Sequence, residues 1–85
     1  MKLKRLAGKV AVVTGGSRGI GATIARWMGA EGATVVVNYS NSEAAARDVV
    51  AAIRADGGEG VPIQANVAEP PEVDALFERV RSHFG

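Results

Sequence analysis

Three glycines at positions 15, 19 and 21, separated by Ser17 and Arg18 and set behind the apolar run Val10-Ala11-Val12-Val13, have the types and spacing to hold an anion. Glycine has no Cβ, so the backbone can turn sharply after a strand and a phosphate can approach the main chain closely. Ser17 and Arg18 fall inside that turn. A helix starting near Gly19 or Ile20 points its unpaired N–H groups and the positive end of its dipole at the same spot. The alternative without a ligand is a tight turn and nothing more. A P-loop is a further rival, because Gly16 and Gly21 have that motif's spacing with Thr23 behind them. Ala22 stands where a lysine would reach the phosphates, which argues against an ATPase or GTPase.

The elements that must position this turn are legible in the pattern. Lys9 to Thr14 reads as a strand, nearly all apolar and so expected to be buried on both faces of a parallel sheet. Gly19 to Glu31 reads as a helix with Ile20, Ile24, Trp27 and Met28 on its apolar face, stopped by Gly32 in a left-handed C-cap. On that reading Trp27 packs in the core. Ala33 to Tyr39 is a second strand. Ser40 and Glu43 fit a capping box opening a helix to about Asp56, ended by Gly57 and Gly58. Val61 to Ala65 is a third strand, with Pro62 indicating an edge or a strand start. Pro70 and Pro71 open a last helix, where their missing N–H groups cost nothing. Its apolar positions Val73, Leu76, Phe77, Val80 and Phe84 recur at helical spacing. The order βαβαβα predicts an α/β fold with right-handed crossovers and a parallel sheet of strand order 3-2-1, half of a doubly wound sheet.

Composition sets limits. The chain has 85 residues, 47% of them apolar, and a formal charge of +1, so neither a disordered tail nor a nucleic-acid surface is indicated. The basic group Lys2, Lys4, Arg5 reads as a solvated N-terminus, since no apolar stretch of signal-peptide or membrane-spanning length follows it. A soluble, cytoplasmic protein is the expectation. There are no cysteines, which excludes disulfides, thiolate catalysis and cysteine-ligated metals. Glu69, Glu72 and Asp74 complement a helix dipole rather than forming a metal site, and His83 has no carboxylate or serine partner at a useful spacing.

The loop Thr14-Gly15-Gly16-Ser17-Arg18-Gly19-Ile20-Gly21 resembles the T-G-x-x-x-G-x-G cofactor loop of the short-chain dehydrogenase/reductase family. The resemblance implies an NAD(P)-binding Rossmann fold in which Gly15, Ser17, Arg18, Gly19, Ile20 and Gly21 contact the dinucleotide. An NAD-preferring enzyme usually carries Asp or Glu at the end of the second strand, about 20 residues beyond the glycines, for the ribose 2′-hydroxyl. Here that place is Asn38-Tyr39-Ser40, with no carboxylate to repel a 2′-phosphate. Arg18 is placed to bind that phosphate, since a guanidinium offers several donors in one plane. NADP(H) is therefore expected over NAD(H), with Asn38, Tyr39 and Ser40 flanking it. After the third strand the family commonly has Asp-Val, its carboxylate accepting from the adenine amino group. This chain has Asn66-Val67, whose amide oxygen can accept the same bond.

The family's catalytic serine and Y-x-x-x-K motif, and its N-N-A-G motif, are not found here. The single tyrosine, Tyr39, is followed four residues on by Glu43, and no lysine occurs after Lys9. The resemblance thus implies residues 1–85 as the N-terminal, cofactor-binding part of a Rossmann domain, cut before the fourth strand, with no catalytic residue of its own. The similarity is strongest to the 3-oxoacyl-(acyl-carrier-protein) reductase and related carbonyl reductase branch. In the intact protein it implies hydride transfer that reduces a carbonyl or oxidises an alcohol. Alternatives are a stand-alone, non-catalytic NADP-binding module, or an assembly subunit with an empty loop. An open edge on the first strand predicts self-association or pairing with a C-terminal half.

Overall fold

Each apolar run becomes a strand and each segment of helical period a helix, in the computed structural model that describes residues 5–84. Lys2 and Lys4 of the predicted basic N-terminus lie outside the described residues. In chain order the elements are β1 (Val10–Val13), α1 (Gly19–Ala30), β2 (Thr34–Tyr39), α2 (Glu43–Ala55), β3 (Glu59–Gln64) and α3 (Pro70–Phe84).

The strands form one parallel sheet in the order β1-β2-β3, with Val13 beside Val37 and Val37 beside Pro62. This is the predicted 3-2-1 arrangement, and Pro62 sits on an outer strand, where a missing ladder donor is tolerated. Side chains of β2 alternate between two cores, as the period of two requires. Val35 and Val37 join Ala25, Ala46, Val49, Val50 and Ile53, beneath α1 and α2. Val36 joins Ile63, Ala65 and Leu76, beneath α3 on the opposite face. The central strand is accordingly the most deeply buried, with Val35, Val36 and Val37 at 0% exposure.

Helices α1 and α2 approach closely because Gly29 faces Ile53. A Cβ on Gly29 would lie 2.8 Å from Ile53 Cγ2. Gly32, at φ +99°, turns the chain out of α1 as a left-handed glycine should.

Several expectations are corrected. Ile20, Ile24 and Trp27 share one face of α1 but are 80%, 41% and 54% exposed, so Trp27 is not a core residue here. The face that α1 turns to the sheet and to α2 carries the small residues Ala25 and Gly29, which permit close approach. Ile20, Ile24 and Trp27 lie further round the helix, where the described residues leave them exposed. Val10 is likewise exposed, so two-sided burial of the first strand is reached only toward its end, at Val13. At α2 the Ser40–Glu43 capping box does not form: the helix starts at Glu43, and Ser42 is its N-cap without a side-chain capping bond. The third strand opens at Glu59 rather than Val61, extending its ladder with β2 to Thr34.

Candidate functional site

Parallel pairing brings the three carboxyl ends of the strands to one edge of the sheet, and with them the β1–α1 turn, the β2–α2 loop and the β3–α3 loop. Ligands of open α/β sheets bind outside that edge. Every residue that the sequence nominates lies in or beside these three connections.

The β1–α1 turn has the predicted shape. Gly15 and Gly19 hold φ of +63° and +56°, a left-handed backbone that residues with side chains rarely adopt. Gly21 permits a different contact, since a Cβ there would collide with the Gly15 carbonyl oxygen. The first turn of α1 therefore stacks directly on the glycine turn. Arg18 is the N-cap in extended conformation, makes no side-chain capping bond, and is followed by no acidic residue in the first turn. The N–H groups of Gly19, Ile20 and Gly21 thus have no intrahelical partner, and no carboxylate there competes with an incoming anion. Ser17 is half-buried within the turn, and Ile20 projects outward from the helix start.

The Arg18 side chain crosses to the second loop, where Nη2 donates to Ser42 Oγ at 2.8 Å. Ser40 lies in the same loop, which Gln64 fastens to β3 by donating from Nε2 to the Ser40 carbonyl at 3.1 Å. Glu43, the acid in the first turn of α2, is neutralised by Arg47, whose Nη2 stands 2.7 Å from its Oε2. The sequence alone does not single out Ser42 as a site residue. Its signal was its place immediately before a first-turn glutamate, a position from which serine caps a helix.

Asn38 and Tyr39 are placed differently from the expectation. Asn38 is 2% exposed, and its side chain faces β3, where Nδ2 donates to the carbonyls of Ile63 and Ala65, each at 3.2 Å. Its contribution to the crevice is its carbonyl, which accepts from Gly16 N at 3.1 Å. The Tyr39 side chain packs against the core beneath α1 and α2, so its link to the crevice also runs through the backbone, where its carbonyl accepts from Ala65 N at 2.9 Å.

The third loop is built by Asn66. Its Oδ1 accepts from Ala68 N at 3.0 Å, and its own N–H donates to Glu72 Oε1 at 2.8 Å. Val67 is left 45% exposed at the loop's tip. Among the described residues no group of three or more His, Cys, Asp or Glu is placed to hold a metal. No described helix is long and apolar enough to cross a membrane.

A parallel βαβαβα sheet with a glycine turn and a helix N-terminus at its carboxyl edge defines the class of nucleotide-binding α/β proteins. Residues 9–85 match the short chain dehydrogenase family, and the chain belongs to that family. It is 52% identical over 81 residues to versicolorin reductase stcU of Emericella nidulans, which covers 95% of this chain and 31% of that protein. It is 47% identical to elsinochrome reductase 1 of Elsinoe fawcettii over 100% of this chain and 32% of that one. Among solved structures, a short chain dehydrogenase from Burkholderia cenocepacia in complex with NADP has a TM-score of 0.88 and 49% identity, over 95% of this chain and 33% of that one. The landomycin C-6 ketoreductase LanV with bound NADP and rabelomycin has a TM-score of 0.83 and 44% identity, over 92% and 32%. The chain spans about a third of the length of the curated relatives it matches.

Proposed function

We propose that this chain is the cofactor-holding part of an NADP(H)-dependent carbonyl reductase. The observation that carries the reading is the Arg18–Ser42 pair at the mouth of the glycine turn, with the adjacent Glu43 paired to Arg47. A planar guanidinium and a neighbouring hydroxyl suit the 2′-phosphate that distinguishes NADP from NAD. The N–H groups of Gly19, Ile20 and Gly21 suit the pyrophosphate, and the Asn66-Val67 loop the adenine. When bound, the reduced nicotinamide supplies the hydride. The chain's own residues bind and orient: the turn fixes the phosphates, Arg18 selects the extra one, and the β3–α3 loop limits the base. The proton that a reduced carbonyl requires comes from outside residues 1–85, since Tyr39 has Glu43 four residues on rather than a lysine and packs its side chain against the core. Relatives named as reductases support reduction as the direction.

The same reading accounts for the exposed Ile20, Ile24 and Trp27 on α1. In the working protein this surface is covered by further polypeptide, and the 85-residue chain alone covers it by pairing with a second copy.

Titration of the full-length protein with NADPH and NADH tests the proposal. It requires NADPH to bind at least about tenfold more tightly, the discrimination that one charged contact supplies. Equal dissociation constants would overturn the cofactor assignment, and no binding of either would favour a subunit with an empty loop.

A further inference from the structure

We infer that Asn38 is a positioning residue that holds the phosphate-binding turn and the β3–α3 loop in register with one another. The inference rests on the cofactor reading above, and deepens it by naming the residue whose carbonyl meets the glycine turn and whose side chain meets the exit of β3.

Asn38 ends neither loop, yet it is bonded to both. Its carbonyl accepts from Gly16 N at 3.1 Å, inside the glycine turn. Its Nδ2 donates to Ile63 O and Ala65 O, the carbonyls that straddle the exit of β3, both at 3.2 Å. The residue is 2% exposed, so its amide makes these bonds away from bulk water. The next residue repeats the connection, since Tyr39 O accepts from Ala65 N at 2.9 Å. Ala65 precedes Asn66, whose Oδ1 and N–H build the third loop. Hydrogen bonds thus tie Gly16 to Asn38 and Asn38 to Ala65, the residue covalently next to Asn66.

Chemistry accounts for the residue type. Pairing two carbonyls with one side chain requires two N–H donors on a short stem, and an asparagine amide has both. Aspartate has none, serine has one, and leucine would leave both carbonyls without this donor in a buried place. A ligand that reaches from the glycine turn to the β3–α3 loop needs both at a fixed separation, whereas a fragment touching one of them does not. Holding a site's parts to within a fraction of an ångström is the work of such supporting residues.

In the full-length protein, Asn38→Ala should raise the Kd of NADPH by about tenfold or more, the scale of a lost supporting contact. The Kd of inorganic pyrophosphate, which touches the glycine turn alone, should change by less than about threefold. Asn38→Ser, with one donor, should fall between Asn38→Ala and the wild type. Parallel weakening of both ligands, or an unchanged NADPH Kd in a folded variant, would overturn the positioning role. If the variants do not fold, amide exchange in the wild type decides. Inorganic pyrophosphate alone should slow exchange at Ala65 N–H by about threefold or more, within the range of coupling through packed networks. An Ala65 amide indifferent to pyrophosphate would overturn the inference. Wild-type protein that binds no NADPH would instead overturn the proposed function itself.

Discussion

Arg18 and Ser42 are 24 residues apart in the chain, and a hydrogen bond of 2.8 Å from the Arg18 guanidinium to the Ser42 hydroxyl joins the loops that carry them. The bond holds a long, flexible cation at the mouth of the glycine turn. It also leaves the serine proton free to be donated, because Ser42 Oγ is the acceptor in this bond. Glu43 follows directly but is paired with Arg47, so the positive charge of Arg18 is not cancelled from the next position.

Replacing Ser42 with aspartate should reverse the cofactor preference. A carboxylate there would pair with Arg18 and repel a 2′-phosphate, while remaining able to accept from a ribose 2′-hydroxyl. Ser42→Asp is expected to weaken NADPH binding by about a hundredfold, on the scale of an opposed charge pair, and to change NADH binding by less than about fivefold. Isothermal titration with both dinucleotides checks it.

Gly21→Ala should damage fold and site together. The added Cβ would collide with the Gly15 carbonyl oxygen, a backbone atom that cannot swing aside as a side-chain tip can. Overpacking of this kind costs about 1–3 kcal/mol. Urea unfolding should show that loss, and dinucleotide titration should show weakened binding even where the variant remains folded.

The exposed face of α1 makes a prediction about association. The 85-residue chain alone should self-associate, and Ile24→Glu combined with Trp27→Glu should disperse it, because both positions are exposed on the apolar face of α1. Sedimentation over a range of concentrations reads this directly. A wild-type chain that stays monomeric throughout would remove the surface from the account.

Much of the fold was legible because its signals are local. Strand, glycine turn and helix start follow from which residues lack a Cβ and where the apolar runs stop, and the parallel order follows from the alternation of strand and helix. The fate of Trp27 was not legible. Periodicity shows that Ile20, Ile24 and Trp27 share a face, but whether that face is covered depends on neighbours that the period does not name. The α2 cap was misplaced because Ser40 and Glu43 match the spacing of a capping box, and spacing alone does not say where the helical backbone begins. Asn38 carried a usable signal: the alternation Val35, Val36, Val37 puts it on the same face as Val36, toward β3 and α3. A strand-end asparagine nonetheless reads first as a ligand-facing residue. Ser42 became visible only once the backbone brought its hydroxyl to Arg18.

Arg18→Ala in the full-length protein, titrated in parallel with NADPH and NADH, tests the central claim most directly. The variant should lose about tenfold to a hundredfold in NADPH affinity, the value of a charge-assisted contact to phosphate, and keep its NADH affinity within about threefold. If the wild type prefers NADPH and Arg18→Ala preserves that preference, or if the variant weakens both dinucleotides alike, Arg18 does not select the 2′-phosphate and the account is contradicted.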